Sequence, residues 1–309
     1  MVVENKYVRF DWAVKRMLRD KANFGVLEGL ITVLLGEKTQ IVEILESESD
    51  QEQEDEKFNR VDIKAKNAAG DIILVEVQLT RQLYYLERIL YGVAKTLTEH
   101  IKLGSLYKEV KKVYHISIVY FDLGRGSDYL YHGQTRFIGV HTNDELLVST
   151  KEQDVIHMKT PAQVFPEYFI IRVNEFNAVA KTPLEEWLDY LKNGHIKDDT
   201  QTPGLSEARK KLQVMTMTPS ERVAYDRHLD AIMVQEDVLT TAKMEGHAEG
   251  RAEGRAEGRA EGRAEGLKEG RTEGLLDTAR RMKSDGVPAE LIEKYTGLSA
   301  EDIEKLYRP

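Results

Sequence analysis

Residues 60–80, RVDIKAKNAAGDIILVEVQLT, constrain the fold more strongly than any other part of the chain. Polar and apolar residues alternate over 61–66, a turn-prone NAAGD follows at 67–71, and a run rich in β-branched residues occupies 72–79. An alternating segment, a turn and a second apolar segment together predict a β-hairpin.

The predicted hairpin gathers oxygen ligands. With its turn centred near Ala69, Asp62 lies opposite Glu76, and Gln78 shares a face with Glu76 because side chains two apart on a strand point the same way. Opposed like charges destabilise a strand pair, and a carboxylate among aliphatic side chains is costly unless it is compensated. Oxygen ligands suit a hard divalent cation such as Mg²⁺ or Mn²⁺, so we predict a metal site. The alternative is an ordinary amphipathic sheet edge with its acids in solvent.

The order of Asp62, a turn and Glu76-x-Gln78 resembles the PD-(D/E)XK nuclease superfamily, and within it the transposase-associated, recombination-promoting nucleases. The resemblance covers roughly residues 7–175 and a tail hairpin. It implies a restriction-endonuclease-like α/β fold, with a mixed sheet flanked by helices and an all-helical C-terminal extension. Val61 stands in place of the proline in the family name, and Gln78 stands where most members carry lysine.

The resemblance implies a metal-dependent DNA endonuclease that hydrolyses phosphodiester bonds, with Mg²⁺ or Mn²⁺ held by Asp62 and Glu76. Gln78 would orient the attacking water or the phosphate, and it cannot act as a base at neutral pH. The alternative function is a catalytically degenerate nuclease fold that binds DNA or self-associates as a scaffold. A toxin or phage-defence effector would use the same chemistry in another biological setting.

Two acids in predicted N-terminal helices are candidate accessory metal ligands. Asp11 and Lys15, in FDWAVKRML, match an Asp-x-x-x-Lys pattern near the start of the same nuclease branch. A helix cap or a first-turn acid would have the same sequence pattern. Glu28 is the one charge in GVLEGLITVLL, and exposure on the outer face of that helix is its alternative role.

A strong amphipathic helix is predicted over residues 82–103, directly after the hairpin. Its predicted buried stripe consists of Leu83, Leu86, Leu90, Val93, Leu97 and Ile101. A neighbouring basic and aromatic stripe suits a sugar-phosphate backbone, although a solvated face with half-buried tyrosines has the same pattern. The candidates for nucleic-acid contact, on this stripe and near it, are Lys64, Arg81, Tyr84, Arg88, Tyr91 and Lys95.

The rest of the first part of the chain predicts a mixed α/β core rather than regular βαβ units. His115 lies in a predicted strand and is interpreted as a core histidine rather than a ligand. No Gly-rich phosphate loop, G-x-S-x-G or H-E-x-x-H occurs, so those chemistries have no support. Strands are predicted at 41–45, 112–121, 136–141, 154–158 and 168–173.

The composition predicts a cytoplasmic protein with no membrane partner, and the resemblance implies DNA as its partner. The chain of 309 residues has no cysteine, which excludes disulfides and fits a reducing compartment. No apolar run approaches the ~20 residues of a membrane span. The net charge is −9, but residues 43–56 hold eight acids and no base whereas 81–112 are basic, and local fields govern phosphate binding.

A nuclease domain is predicted over residues 1–192, and the chain beyond it is predicted to be helical. Glu-Gly recurs every four residues eight times, mostly as AEGR. Such a helix is weak alone, because glycine costs about 1 kcal/mol against alanine and like charges four apart repel. A partner helix offsets these costs, because rows of Gly and Ala allow the backbones to approach and Glu rows meet Arg rows, so we favour a homo-oligomeric stalk over a disordered spacer. The predicted segments are a linker at 193–206, a helical segment at 207–244, the repeat helix at 245–274 and a C-terminal helical hairpin at 275–309.

Overall fold

The structure is a computed structural model that describes residues 7–45, 61–100, 106–152 and 155–306. Most of the acidic segment 43–56 lies outside these ranges, as does Ile101 of the predicted helical stripe. The chain divides into two compact units, Met1–His228 and Leu229–Pro309, which are described separately below.

A six-stranded mixed sheet forms the centre of the first unit. The strands described are β1 Ile41–Leu45, β2 Ile63–Asn67, β3 Ile72–Gln78, β4 Val113–Val119, β5 Leu130–Gly133, β6 Val148–Glu152, β7 Val155–Lys159 and β8 Glu167–Arg172. Their order in the large sheet is β1-β2-β3-β4-β8-β5, with β3, β4 and β8 parallel and the remaining pairs antiparallel. Strands β6 and β7 pair in a separate small sheet. The predicted mixed α/β fold is confirmed.

Helices flank the sheet and make up the C-terminal part of the chain. The α-helices described are α1 Phe10–Arg16, α2 Phe24–Leu35, α3 Tyr85–Glu99, α4 Pro183–Asn193, α5 Leu205–Lys211, α6 Pro219–Ser284, α7 Ala289–Thr296 and α8 Ala300–Lys305. Within the described ranges, none of these helices has both the length and the apolar character that crossing a bilayer requires.

The predicted hairpin is confirmed as strands β2 and β3. Ile63 lies opposite Val75, and Gly70 turns the chain with a φ of 87°, a conformation that favours glycine. Strand β3 is not an edge strand, because it pairs with β2 on one side and with β4 on the other. Its residues are buried up to Glu76 and Val77, so the alternative of a solvated sheet edge is wrong.

Two predictions of strands and linkers differ from the structure. Residues 136–141 contain no strand, and Ile138 makes only an isolated bridge with Glu145. The segment 193–206 is predicted to be a linker, but it lies inside the first unit, Met1–His228, and packs against other residues of that unit. The indole Nε1 of Trp187 donates to the carbonyl oxygen of Pro203 at 3.0 Å. The polar, turn-rich composition of the segment conceals this packing.

Helix α3 turns a different face to the sheet from the one predicted. Leu83, Leu86 and Leu90 are 89%, 57% and 61% exposed, so the predicted buried stripe is wrong at these positions. Two apolar rows at helical spacing lie side by side on this segment, and periodicity alone does not decide which one meets the sheet. The buried residues of α3 are Tyr85, Ile89, Gly92, Val93, Lys95 and Thr96.

The second unit is helical. The whole Glu-Gly repeat lies in the continuous helix α6, and its residues from 245 to 274 are exposed. The end of α6 packs with α7 and α8 through Ala279, Ile292 and Ile303. Gly297 ends α7 with a φ of 69°, and the Ser299 hydroxyl caps α8 by accepting a hydrogen bond from the next turn. The predicted all-helical extension is confirmed.

Candidate active site

A polar cavity of about 660 Å³ opens beside the hairpin. Asp62 lies one residue before β2, so the register of the hairpin places it opposite Glu76. The structure therefore brings together Asp62, Glu76 and Gln78, the three residues predicted as catalytic. They meet near the C-terminal end of β3, the more deeply buried of the two hairpin strands. The cavity is lined by Lys15, Arg16, Arg19, Asp62, Glu76, Val77, Gln78 and Arg88.

The two carboxylates are held by different partners. Asp62 Oδ2 accepts a hydrogen bond from the backbone N–H of Val77 at 2.7 Å, which joins the start of β2 to β3. Glu76 is only 3% exposed, and its Oε1 accepts from the guanidinium of Arg88 on α3. These contacts fix both acids at the wall of the cavity.

Burial raises the pKa of the Glu76 carboxyl above its ordinary value. The charge of Arg88 opposes this effect, and the neighbouring charge of Asp62 adds to it. A carboxyl whose pKa is raised in the folded state costs stability as the pH rises through that pKa. Ionisation of Glu76 therefore lowers the free energy of unfolding.

His115 on β4 lies behind Glu76. Its Nε2 is 3.8 Å from Glu76 Oε2, and its Nδ1 is 3.1 Å from the hydroxyl oxygen of Ser117. Burial, and to a smaller extent the charge of Arg88, lowers the pKa of His115 to about 4, so the ring is neutral at pH 7. The prediction of a core histidine is confirmed, and the ring adds no positive charge beside Glu76.

Oxygen donors in the cavity fit a hard divalent cation. The amide nitrogen of Gln78 donates to the Thr80 carbonyl at 3.2 Å, so its amide oxygen is the atom available to a ligand. Nowhere in the described ranges do three or more His, Cys, Asp or Glu side chains cluster as a metal site. A cation held by Asp62 and Glu76 would thus keep part of its hydration shell, as Mg²⁺ commonly does.

The two candidate accessory acids lie away from the cavity lining. Asp11 is fully buried, with its oxygens 2.6 Å from His228 Nε2 and 2.9 Å from Arg9 Nε. Burial alone would raise the pKa of Asp11, but His228 and Arg9 outweigh it and lower that pKa. Glu28 accepts from the backbone N–H of Ile41 at 2.8 Å and so links α2 to β1. Both contacts serve the packing of the fold.

The predicted nucleic-acid candidates are spread over several environments. Lys64 is buried and donates to Glu99 at 2.6 Å, and Lys95 is also buried. Arg88 lines the cavity, where it contacts Glu76. The remaining candidates are exposed, namely Arg81, Tyr84 and Tyr91.

Three cations of the cavity were not among the predicted site residues. Lys15 and Arg16 end helix α1, and Arg19 follows it and donates to the main-chain oxygen of Asp62 at 2.8 Å. Two signals were available in the sequence: the Asp-x-x-x-Lys pattern of Asp11 and Lys15, and the basic residues at positions 15, 16 and 19 at one end of a helix. Sequence alone did not show that α1 ends beside the hairpin.

Replacing Arg88 with Gln should raise the pKa of Glu76 further, because the positive charge of Arg88 is the main influence that favours the carboxylate. The pKa is measured from the pH dependence of the Glu76 carboxyl ¹³C shift, assigned with Glu76→Gln. Arg81→Gln, which removes an exposed charge outside the cavity lining, is the control and should leave this pKa unchanged. An unchanged or lowered pKa in Arg88→Gln would contradict the assignment.

Comparison with known protein families matches residues 8–242 to the family described as PD-(D/E)XK nuclease family transposase. Neither the comparison with curated proteins nor the comparison with solved structures gave a match. The family match covers the hairpin, the cavity and the helices that line it. It confirms the resemblance indicated by Asp62, Glu76 and Gln78: the chain belongs to the PD-(D/E)XK nuclease family of transposases.

Proposed function

We propose that the chain is a metal-dependent DNA endonuclease of the transposase-associated, recombination-promoting type. The observation that supports this best is the burial of Glu76 next to Asp62, at a cavity whose other charged groups are all cations. Two acids suit a divalent cation, and cations beside them suit the phosphates of a nucleic acid.

Asp62 and Glu76 are the proposed metal ligands, with the amide oxygen of Gln78 beside them. A bound Mg²⁺ or Mn²⁺ would supply a Lewis acid that activates water and polarises the scissile phosphate. The Val77 N–H holds the Asp62 carboxylate in place, and the neutral, buried ring of His115 lies 3.8 Å from Glu76 Oε2. The strands thus present the two carboxylates in a fixed position. This reduces the rearrangement of side chains that binding of the cation requires.

Phosphate groups of DNA would meet the cationic wall of the cavity. Arg16 and Arg19 approach from the end of α1, and Arg88 approaches from α3. We propose Arg81 and Tyr84, both exposed after the hairpin, as further contacts to the sugar-phosphate backbone. Gln78 would orient the attacking water or the phosphate through hydrogen bonds. We leave Lys64 and Lys95 out of these contacts because both side chains are buried.

A degenerate nuclease that binds DNA is the second candidate, and two observations favour it. Arg88 already pairs with Glu76, and Gln78 carries no charge. In this function the cationic cavity would bind phosphate without hydrolysing it. Nicking activity separates the two candidates, because both predict DNA binding and only the first predicts cleavage.

The repeat helix supports a proposal of self-association in the cytoplasm. Its exposed rows of Gly and Ala allow helices to approach closely, and its Glu and Arg rows offer complementary charges.

If the repeat helix self-associates, sedimentation velocity should detect species larger than the 35.3 kDa chain that dissociate on dilution. A variant without residues 245–274 should sediment as a monomer at every concentration. A full-length chain that remains a monomer throughout the same range would refute the stalk.

Wild-type protein should nick supercoiled plasmid with Mg²⁺ or Mn²⁺ and should leave it intact in EDTA. Asp62→Asn and Glu76→Gln should each slow nicking about 100-fold or more, since each removes a charge at the reaction centre. Glu43→Gln, the same type of change at an exposed acid on β1, is the matched control and should retain wild-type activity. Equal nicking by all four proteins, or by none of them, would count against the endonuclease.

A further inference from the structure

Four cations line the candidate active site, and the contacts of the structure distinguish one of them from the rest. Arg88 pairs with Glu76 and also donates to the side-chain oxygen of Gln82 at 2.6 Å. Arg19 donates twice to the main-chain oxygen of Asp62, at 3.2 and 2.8 Å. Each of these two guanidinium groups is therefore engaged in holding part of the site.

Arg16 is also held by a neighbour. Its guanidinium lies over the ring of Trp12, 5.2 Å from the ring centroid, in a cation–π contact within α1. Lys15 differs from these three arginines. Across the described ranges it forms no hydrogen bond or ion pair, and its side chain is exposed to the solvent of the cavity.

The charge of Lys15 acts on the reaction centre. It is among the charges that favour the ionised form of Glu76, although Arg88 contributes more. Lys15 lines the same cavity as both carboxylates without a bond to either, so its ammonium group is able to move to a third negative group. In a nuclease site that third group is the phosphate of the substrate.

The backbone that carries Lys15 is firmly anchored. Phe10 packs edge-on against Trp187, with ring centroids 5.8 Å apart, and Asp11 is fixed by His228 and Arg9. The anchored residues precede Lys15 by four and five positions, so the last turn of α1 has a defined place beside β3. The side chain can move while its attachment point stays fixed, which suits a group that must meet the transition state.

We propose that Lys15 is a catalytic residue that stabilises the negative charge developing on the nonbridging oxygens of the scissile phosphate. This role rests on the proposed endonuclease. In the hydrolysis, the oxygen of water forms a new bond to phosphorus, and the bond from phosphorus to the leaving sugar oxygen breaks. Solvent accepts the proton of the water and protonates the leaving oxygen. Lys15 transfers no proton, and it compensates charge that the neutral side chain of Gln78 does not compensate.

Lys15→Cys tests this role directly, because the chain has no other cysteine and position 15 is exposed. The variant should nick plasmid about 100-fold more slowly than wild type, the size of effect expected for one preorganised charge. Treatment with 2-bromoethylamine converts the thiol into an aminoethyl thioether with the length and charge of lysine, and should restore most of the rate. Treatment with iodoacetamide adds an uncharged group of similar size and should restore none.

Two controls accompany the rescue. Wild-type protein treated with either reagent should be unaffected, and Lys21→Ala should keep its activity because that exposed lysine lies outside the cavity lining. Duplex DNA binding in EDTA should weaken far less than the nicking rate falls in Lys15→Cys, since one phosphate contact changes the salt dependence of binding by about one unit.

The outcomes separate the role of Lys15 from the proposed function. Wild-type activity in Lys15→Cys, or a slow variant that neither reagent rescues, would overturn the role of the ammonium group while the endonuclease stands. A second variant, Lys15→Ala/Gln78→Lys, returns a cation to the same cavity from β3 and should nick faster than Lys15→Ala. A wild-type protein that does not nick at all would overturn the endonuclease, and the role of Lys15 would fall with it.

Discussion

The pairing of two carboxylates at the wall of one cavity is the constraint on which this site depends. Glu76 is placed in a strand with neighbours on both sides, so it has little contact with water, and its charge is maintained by Arg88. Asp62 adds a second negative charge across the strand pair. An arrangement that costs the fold stability is usually retained for chemistry rather than for packing.

The surrounding structure holds these two charges in place. Hydrogen bonding from the Val77 N–H restrains Asp62, and His115 fills the space behind Glu76. The cavity opens between the end of α1 and the start of α3, and both of these helix ends carry cations. Acidic groups of the hairpin and basic groups of the two helix ends therefore line the same cavity, and the basic groups suit contact with a polyanion.

Local pattern was sufficient to predict the hairpin, its register and the meeting of Asp62 with Glu76, because all three depend on residues close in sequence. It failed for α3, where two apolar rows compete and only the tertiary packing selects the one that contains Ile89. It also failed for Asp11, whose partner His228 is 217 positions away. The cations of α1 were missed for the same reason, since a distant helix contributes them to the hairpin.

Binding of Mn²⁺, followed by the electron paramagnetic resonance signal of the free ion in the absence of DNA, shows whether Asp62 and Glu76 hold one metal ion. We expect saturable binding to the wild type and to the surface control Glu43→Gln, with a large loss of affinity in Asp62→Asn and in Glu76→Gln. The loss should occur in each single variant because both carboxylates hold the same ion. Equal Mn²⁺ affinity in all four proteins would contradict a shared metal site on Asp62 and Glu76.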